Sequence, residues 1–255
     1  MKSFLQILFS ITNEDKHKVF RLLGIKFKFK RKIKPEGYII GGENNKFIIV
    51  EEDGTERLIG KYEKIEGLNV DWQGSNCVVK IYKPTNFINC LLLMQGNNSY
   101  CEIGSTKYFY KNNGRFLVFG SNCSLIVGKN ISCGEESILG ILDTDNTSIR
   151  VGDDCMFSKN IQIRAGDGHV IYDLDTKEIV NNGKDTIVGN HVWLGADSIV
   201  LKGCKIADDC VIGAKSVVSK SILEPNTISV GVPSRIVKRN INWRREGAFA
   251  LTSEK

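Results

Sequence analysis

From Val188 onward an aliphatic residue recurs at every sixth position: Val188, Leu194, Val200, Ile206, Ile212 and Val218. Glycine, alanine or serine follows it in every hexad but one, where Leu201 stands. The fifth positions are Val192, Ser198, Cys204, Cys210, Ser216 and Ile222, mostly small. The same phase runs upstream through Val127, Cys133, Leu139, Val151, Phe157 and Ile163, six or twelve apart, with Asp145 as the one polar interruption. Gly128, Gly134, Gly140 and Gly152 hold the second position there, and Ile103 and Phe109 keep step further back. About twenty residues inserted between Ile163 and Val188 put the two arrays out of register.

A period of six suits neither an α-helix, with 3.6 residues per turn, nor a hairpin meander. It predicts a coil of short strands joined by tight corners. The first position points inward as an apolar plug, the small second residue permits the corner, and the fifth points inward where space is limited. Stacked coils then bury one continuous core. Cys133, Cys155, Cys204 and Cys210 fall on inward positions and read as small buried hydrophobes rather than nucleophiles. The fold class is therefore all-β, a parallel β-helix with a short C-terminal cap.

The rest of the chain divides around this array. Residues 101–222 form the predicted β-helix, with an excursion over 164–187. Residues 36–100 read as β-rich but irregular, with a hairpin turning at Asp53–Gly54. Residues 223–255 cap the coil with EPNTISVGVPSRIVK and end in a tail read as helical or loosely ordered. In residues 1–35, Phe4, Leu5, Leu8 and Phe9 suit one face of a helix, and IKFKFKRKIK alternates apolar and basic residues as a strand does. That basic segment has two readings, attraction to an anionic membrane surface or polyanion, or lysines guarding a strand edge.

Composition changes this picture little. The 255 residues are 42% hydrophobic, with 25 glycines against four prolines, as many tight turns require. Much of the net charge of +6 sits between Lys16 and Lys34. The eight cysteines include no C-x-x-C pair, and the opening MKSFLQILFSI lacks a cleavage site. No stretch approaches the roughly 18 apolar residues of a membrane span. The expectation is a cytoplasmic protein, with the basic segment available to the inner membrane face and no nucleic-acid partner.

The candidate chemistry lies on the excursion, since a long loop leaving a rigid scaffold is where function concentrates. It carries His169, flanked by Asp167 and Asp173, and an imidazole with a pKa of about 6.5 suits proton abstraction near neutrality. Trp193 follows 24 positions later. Asp143, Asp145 and Asn146 form the polar break in the upstream array.

The run GNHVWLGADSIVLKGCKIADDCVIGAKSVVSKSI, followed by GVPSRIVK, resembles the hexapeptide-repeat acyltransferases over roughly residues 125–240. AGDGHVIYDLDTKEIVNNGKD followed by HVWLG is most similar to bacterial O-acetyltransferases acting on capsular or lipooligosaccharide sialic acid. The resemblance implies a left-handed coil and a homotrimer with sites in the clefts between subunits. It also implies transfer of acetyl from acetyl-CoA to a sugar hydroxyl, with no metal. By the same resemblance His169 is the general base, Trp193 is a functional tryptophan walling the cleft against acceptor or pantetheine, and Ala196, Ala214, Ser219, Lys220, Arg235 and Lys238 hold the coenzyme. The polar break at Asp143, Asp145 and Asn146 has its own readings, orienting His169, holding the acceptor, or a solvated corner, and Asp167 and Tyr172 on the excursion join the candidate acceptor residues. His191 is left as a corner residue with a structural role or none. The competing readings are transfer to a neutral sugar or small xenobiotic, and a non-catalytic glycan-binding or assembly coil. Zinc hydration would need three converging histidines, and only His169 and His191 lie in the repeats.

Overall fold

The computed structural model describes residues 9–14, 17–22, 25–30, 38–60 and 63–247. The chain forms two compact units, Met1–Glu36 and Gly37–Lys255. In the first, Phe9–Glu14, His17–Leu22 and Ile25–Lys30 make an antiparallel sheet in that order. The alternating run IKFKFK is thus an edge strand, with Lys26 opposite Arg21 and Lys28 opposite Val19. Phe9 begins a strand rather than closing a helix. Phe4, Leu5 and Leu8 lie outside the described residues, as do Arg31 to Lys34.

The second unit is a three-sided β-helix of three eight-stranded sheets. Successive strands step from one face to the next. The first face runs from Tyr38–Ile40 to Val217–Val218 and the second from Lys46–Val50 to Lys205–Ile206. The third runs from Asn86–Phe87 to Val211–Ile212 and adds Ile228–Gly231. Pairing is parallel except at two ends. The hairpin Lys46–Val50/Glu56–Leu58 turns at Gly54, whose φ is 85°, and Ser234–Lys238 folds back on Ile228–Gly231.

Register explains the two phases in the sequence. After the excursion, partners stand 18 residues apart, as in Ile187↔Lys205 and Trp193↔Val211, which is three hexads per coil. Upstream they stand 24 apart, as in Leu91↔Arg115 and Ser124↔Ser148. The additional residues always fall at the corner from first face to second, between Met94 and Tyr100, Val118 and Ser124, and Ile141 and Ser148. Asp145 is therefore a corner residue and not a failed core position. Coils of other lengths, with partners 22 or 32 residues apart, reach back to Tyr38. The described residues from Tyr38 to Tyr100 thus belong to the same β-helix, which begins well before the first clear hexads near residue 101. One such irregularity also displaces Phe109. Tyr110 pairs with Cys133 at a spacing of 23, so Tyr110 is buried and Phe109 is 48% exposed.

The inward positions behave as their chemistry requires. All twelve first positions of the two arrays, and all six fifth positions, are buried. All eight cysteines are free and buried, and burial pushes the Cys101, Cys133 and Cys155 thiols up to about 12. They are packing groups.

The enlarged corner is built from two columns. Gly42, Gly74, Gly96 and Gly120 stack so that a Cβ on each would lie 2.0, 2.0, 1.7 and 1.6 Å from a carbonyl oxygen of the next coil. Beside them Asn44, Asn76, Asn98, Asn122 and Asn146 all sit at φ of 53–56°, the left-handed region that asparagine tolerates. Each of the first four donates its Nδ2 to the Oδ1 of the next, at 3.2–3.3 Å. The lower end of both columns is the Asp143–Asn146 corner, directly under the excursion.

Candidate active site

The excursion leaves the first face after Gln162–Arg164 and rejoins the second at Thr186–Val188. Its arms bridge at Tyr172 and Ile179. Asp173 closes the tip by accepting the N–H groups of Asp175 and Thr176, which hold its carboxyl below the usual range. The neck is clamped. Asn181 donates through Nδ2 to the His169 carbonyl (2.8 Å) and to Asp167 Oδ2 (3.0 Å), and accepts the Ile171 N–H at Oδ1 (2.7 Å). Lys202, on the following coil, sets its Nζ 2.5 Å from Asp167 Oδ2 and 2.6 Å from the Asn181 carbonyl. The Lys202 bond, helped by Asn181, holds the Asp167 carboxyl low. Lys202 and Asn181 had no signal in the sequence reading, because their link to Asp167 crosses 35 and 14 residues and follows no period.

Above the clamp a cleft of about 650 Å³ opens between His169 and the corner Asp143–Asn146, with Gly183 on the other side. His169 is exposed, and the hydrogen bond that fixes it runs through its backbone carbonyl, which leaves the imidazole available. Gly168 (φ +87°) has no side chain to block the way from His169 to Asp143, whose Oδ2 lies 4.0 Å from the position of a Cβ there. The acidic candidates separate by their commitments. Asp145 accepts the Ser121 N–H at 2.8 Å, and Asn146 accepts from Asn122, so both build the corner whose surface lines the cleft. Asp143 lines it with no hydrogen bond to its carboxylate among the described residues. Tyr172 stands at the loop tip, 53% exposed, outside the cleft lining.

Trp193 is elsewhere. It lies on the third face between Met156 and Val211, half-buried, with Nε1 donating to Ser158 Oγ at 3.3 Å. On the same face or its trailing corner are Ala196, Ala214, Arg235 and Lys238. Ser219 and Lys220 follow Val217–Val218 on the corner below the excursion. One chain therefore gathers His169 with Asp143, Asp145, Asn146 and Asp167, but does not bring Trp193 to that cleft.

The segment after Ser234–Lys238 is a strap, not a helix, through the described residue 247. Trp243 stacks on His191 (4.1 Å between ring centroids) and donates Nε1 to the His191 carbonyl at 2.8 Å. Arg245 lies 4.3 Å from the Tyr108 ring centroid and bonds to Asp154, Ser132 and the carbonyls of Asn130 and Cys155. His191 faces acceptors on both sides, Asp154 Oδ2 at 2.7 Å from Nδ1 and the Trp243 carbonyl at 3.0 Å from Nε2, so only the imidazolium satisfies both. Burial lowers its pKa, but the bonds to Asp154 and Trp243 outweigh that and hold it above the ordinary value, with Asp209 adding to the effect. A raised histidine pKa contributes stability that is complete below the unfolded value of about 6.5 and is lost as pH rises through the folded one. Raising the pH from below about 6.5 up through the raised folded-state pKa is therefore expected to loosen the strap and red-shift the tryptophan emission. His191→Asn, which suits the φ of 51°, is expected to remove that dependence. An unchanged titration curve in the variant would contradict it.

A three-sided coil carrying a histidine loop at one corner and a small-residue edge on another face is the build of an acyltransferase of the hexapeptide class. Residues 185–220 match the model of the bacterial transferase hexapeptide (six repeats). The chain is 36% identical over 173 residues to a polysialic acid O-acetyltransferase of Neisseria meningitidis, covering 68% of this chain and 78% of that protein. A polysialic acid O-acetyltransferase of Escherichia coli O1:K1 / APEC is 30% identical over 130 residues, half of this chain and 42% of that protein's length. The crystal structure of the polySia specific acetyltransferase NeuO superposes with a TM-score of 0.65 at 25% identity, over 86% of this chain and 94% of that one. The chain belongs to the hexapeptide-repeat acetyltransferase family, whose fold is the left-handed β-helix.

Proposed function

We propose that this protein moves the acetyl group of acetyl-CoA to a hydroxyl of a sialic acid-containing surface glycan, with His169 as general base. The observation that carries this reading is an imidazole with no side-chain partner among the described residues, on a clamped loop, over a polar cleft. Neutral His169 takes the proton of the acceptor hydroxyl as its oxygen attacks the thioester carbonyl carbon. The tetrahedral intermediate collapses, the C–S bond breaks, and the proton passes to the leaving sulfur. The products are the acetyl ester and free coenzyme A. Asp143 is the carboxylate left to orient the imidazole or hold the acceptor, since Asp167, Asp173 and Asp145 are committed elsewhere.

The separation of His169 from Trp193 supports a site shared between copies of a homotrimer. The loop exposes Val170, Ile171, Leu174, Ile179 and Val180, each about half exposed or more, which a neighbouring copy would cover. That copy would offer Trp193 and the coenzyme-holding edge, Ala196, Ala214, Arg235 and Lys238, while Ser219 and Lys220 close the groove from the corner below the loop. The supported acceptor class is an acidic glycan, as named for the relatives.

The test is acetyl-CoA turnover over sialylated oligosaccharides, polysialic acid and neutral sugars, with products read by mass spectrometry. Because all eight cysteines are buried, released coenzyme A can be followed in the native protein with a thiol reagent. Acetyl on the sialylated acceptors is the expected result. Acetylation of neutral sugars alone would reject the acceptor assignment.

A further inference from the structure

A second groove, of about 460 Å³, opens on the third face beside Trp193, and none of the roles described above uses it. Tyr108, Phe109 and Met156 supply its apolar wall, Ser158 its inner edge, and Lys107 and Lys111 its rim. Phe109 is the side chain displaced outward by the irregular register, and its exposure leaves a flat apolar surface facing the opening. Ser158 accepts the Trp193 indole N–H, so the groove begins where Trp193 ends. The strap holds the Tyr108 side of the apolar wall in place, with Arg245 stacked on Tyr108 and bonded to Ser132.

Lys107 and Lys111 give the lip of the groove its positive charge. Among the described residues neither Lys107 nor Lys111 forms an ion pair, although Lys107 stands over the Tyr108 ring at 5.5 Å. Unpaired cations at the lip of an aromatic trough fit a ligand with a carboxylate and an apolar ring face. An acidic sugar offers both, since its C–H face packs on an aromatic ring while its carboxylate takes a charge-assisted hydrogen bond. The groove also lies on the N-terminal side of Trp193, whereas Ala196, Ala214, Arg235 and Lys238 lie on the C-terminal side. Trp193 thus separates the two ends along one face.

We infer that the Lys107–Tyr108–Phe109–Lys111 groove is the acceptor subsite, holding the carboxylate of an acidic sugar next to the one being acetylated. The inference rests on the acetyl-transfer reading for its place in the reaction, but the binding it asserts can be measured without turnover. The probe is an oligomer of sialic acid, titrated by NMR into full-length protein bearing His169→Ala, with and without Lys107→Ala and Lys111→Ala. The double lysine substitution is expected to weaken binding about tenfold and to steepen less with falling salt. In His169-intact protein it is expected to raise the KM for the acidic acceptor about tenfold while kcat changes less than about twofold. Phe109→Ala is expected to weaken binding without changing the salt dependence. Unaltered oligomer affinity in the lysine variant overturns the inference, as does a loss of coenzyme A affinity, which would make the groove part of the coenzyme site. Oligomer binding that needs the lysines, in a protein that acetylates no sugar, leaves the groove standing and rejects the acetyl-transfer reading.

Discussion

Replacing His169 with alanine is expected to lower kcat/KM by about a hundredfold to ten-thousandfold, the range that removal of a general base produces. The loss should fall on kcat, because the proton is taken only as the new C–O bond forms. The fold has no stake in this side chain. The imidazole is exposed, and the loop is held through the His169 carbonyl, Asn181, Asp167 and Lys202. Thermal unfolding of the variant should therefore match the parent closely. Turnover within about threefold of the parent would reject His169 as the base.

The second large effect is on stability. Gly120 faces the next coil so closely that a Cβ would meet the Thr144 carbonyl oxygen at 1.6 Å. The atom it meets is backbone, so no rotamer change relieves the contact. Gly120→Ala must push apart two coils that share hydrogen bonds at Ser121 and Asn122. Overpacking of a core usually costs about 1–3 kcal/mol, and a rigid stack belongs at or above the top of that range. For a unit of this size the melting temperature should fall by roughly 6–12 °C. The displaced residue is Thr144, in the floor of the cleft, so turnover should fall as well. Calorimetry checks the first effect, and a variant melting within about 1 °C of the parent would mean that the corner is not closely packed.

Much of this architecture was legible because a β-helix repeats its core positions in the sequence, and Val127 to Ile163 and Val188 to Val218 mark them without ambiguity. The signal failed where a corner changed length. A coil of 24 residues still shows its hexads on two sides but jumps twelve on the third, which made Asp145 look like an interruption. Before about residue 100 the irregular coil lengths hid the repeat altogether, and a change of one residue in the spacing turned Phe109 outward in favour of Tyr110. The loop and its histidine were legible for the opposite reason, since an excursion is conspicuous against a strict period. What fixes them was not. Lys202 meets Asp167 across 35 residues, and Trp243 meets His191 across 52, contacts that depend on how coils stack and on where a tail folds back. Of the two loop residues assigned to the acceptor, Asp167 lines the cleft and Tyr172 stands at the tip, because position along a loop does not say which residues form its neck and which its tip.

The column of asparagines has a directional outcome. Its four carboxamide bonds all point the same way, from Asn44 toward Asn146, so their dipoles add instead of cancelling, and each bond polarises the next. The last member accepts from Asn122 yet has no acceptor for its own Nδ2 among the described residues, and it sits in the lining of the cleft. The stack thus ends in a carboxamide N–H at the lining of the cleft, a partial positive charge of the kind the start of an α-helix presents, where the described residues form no helix.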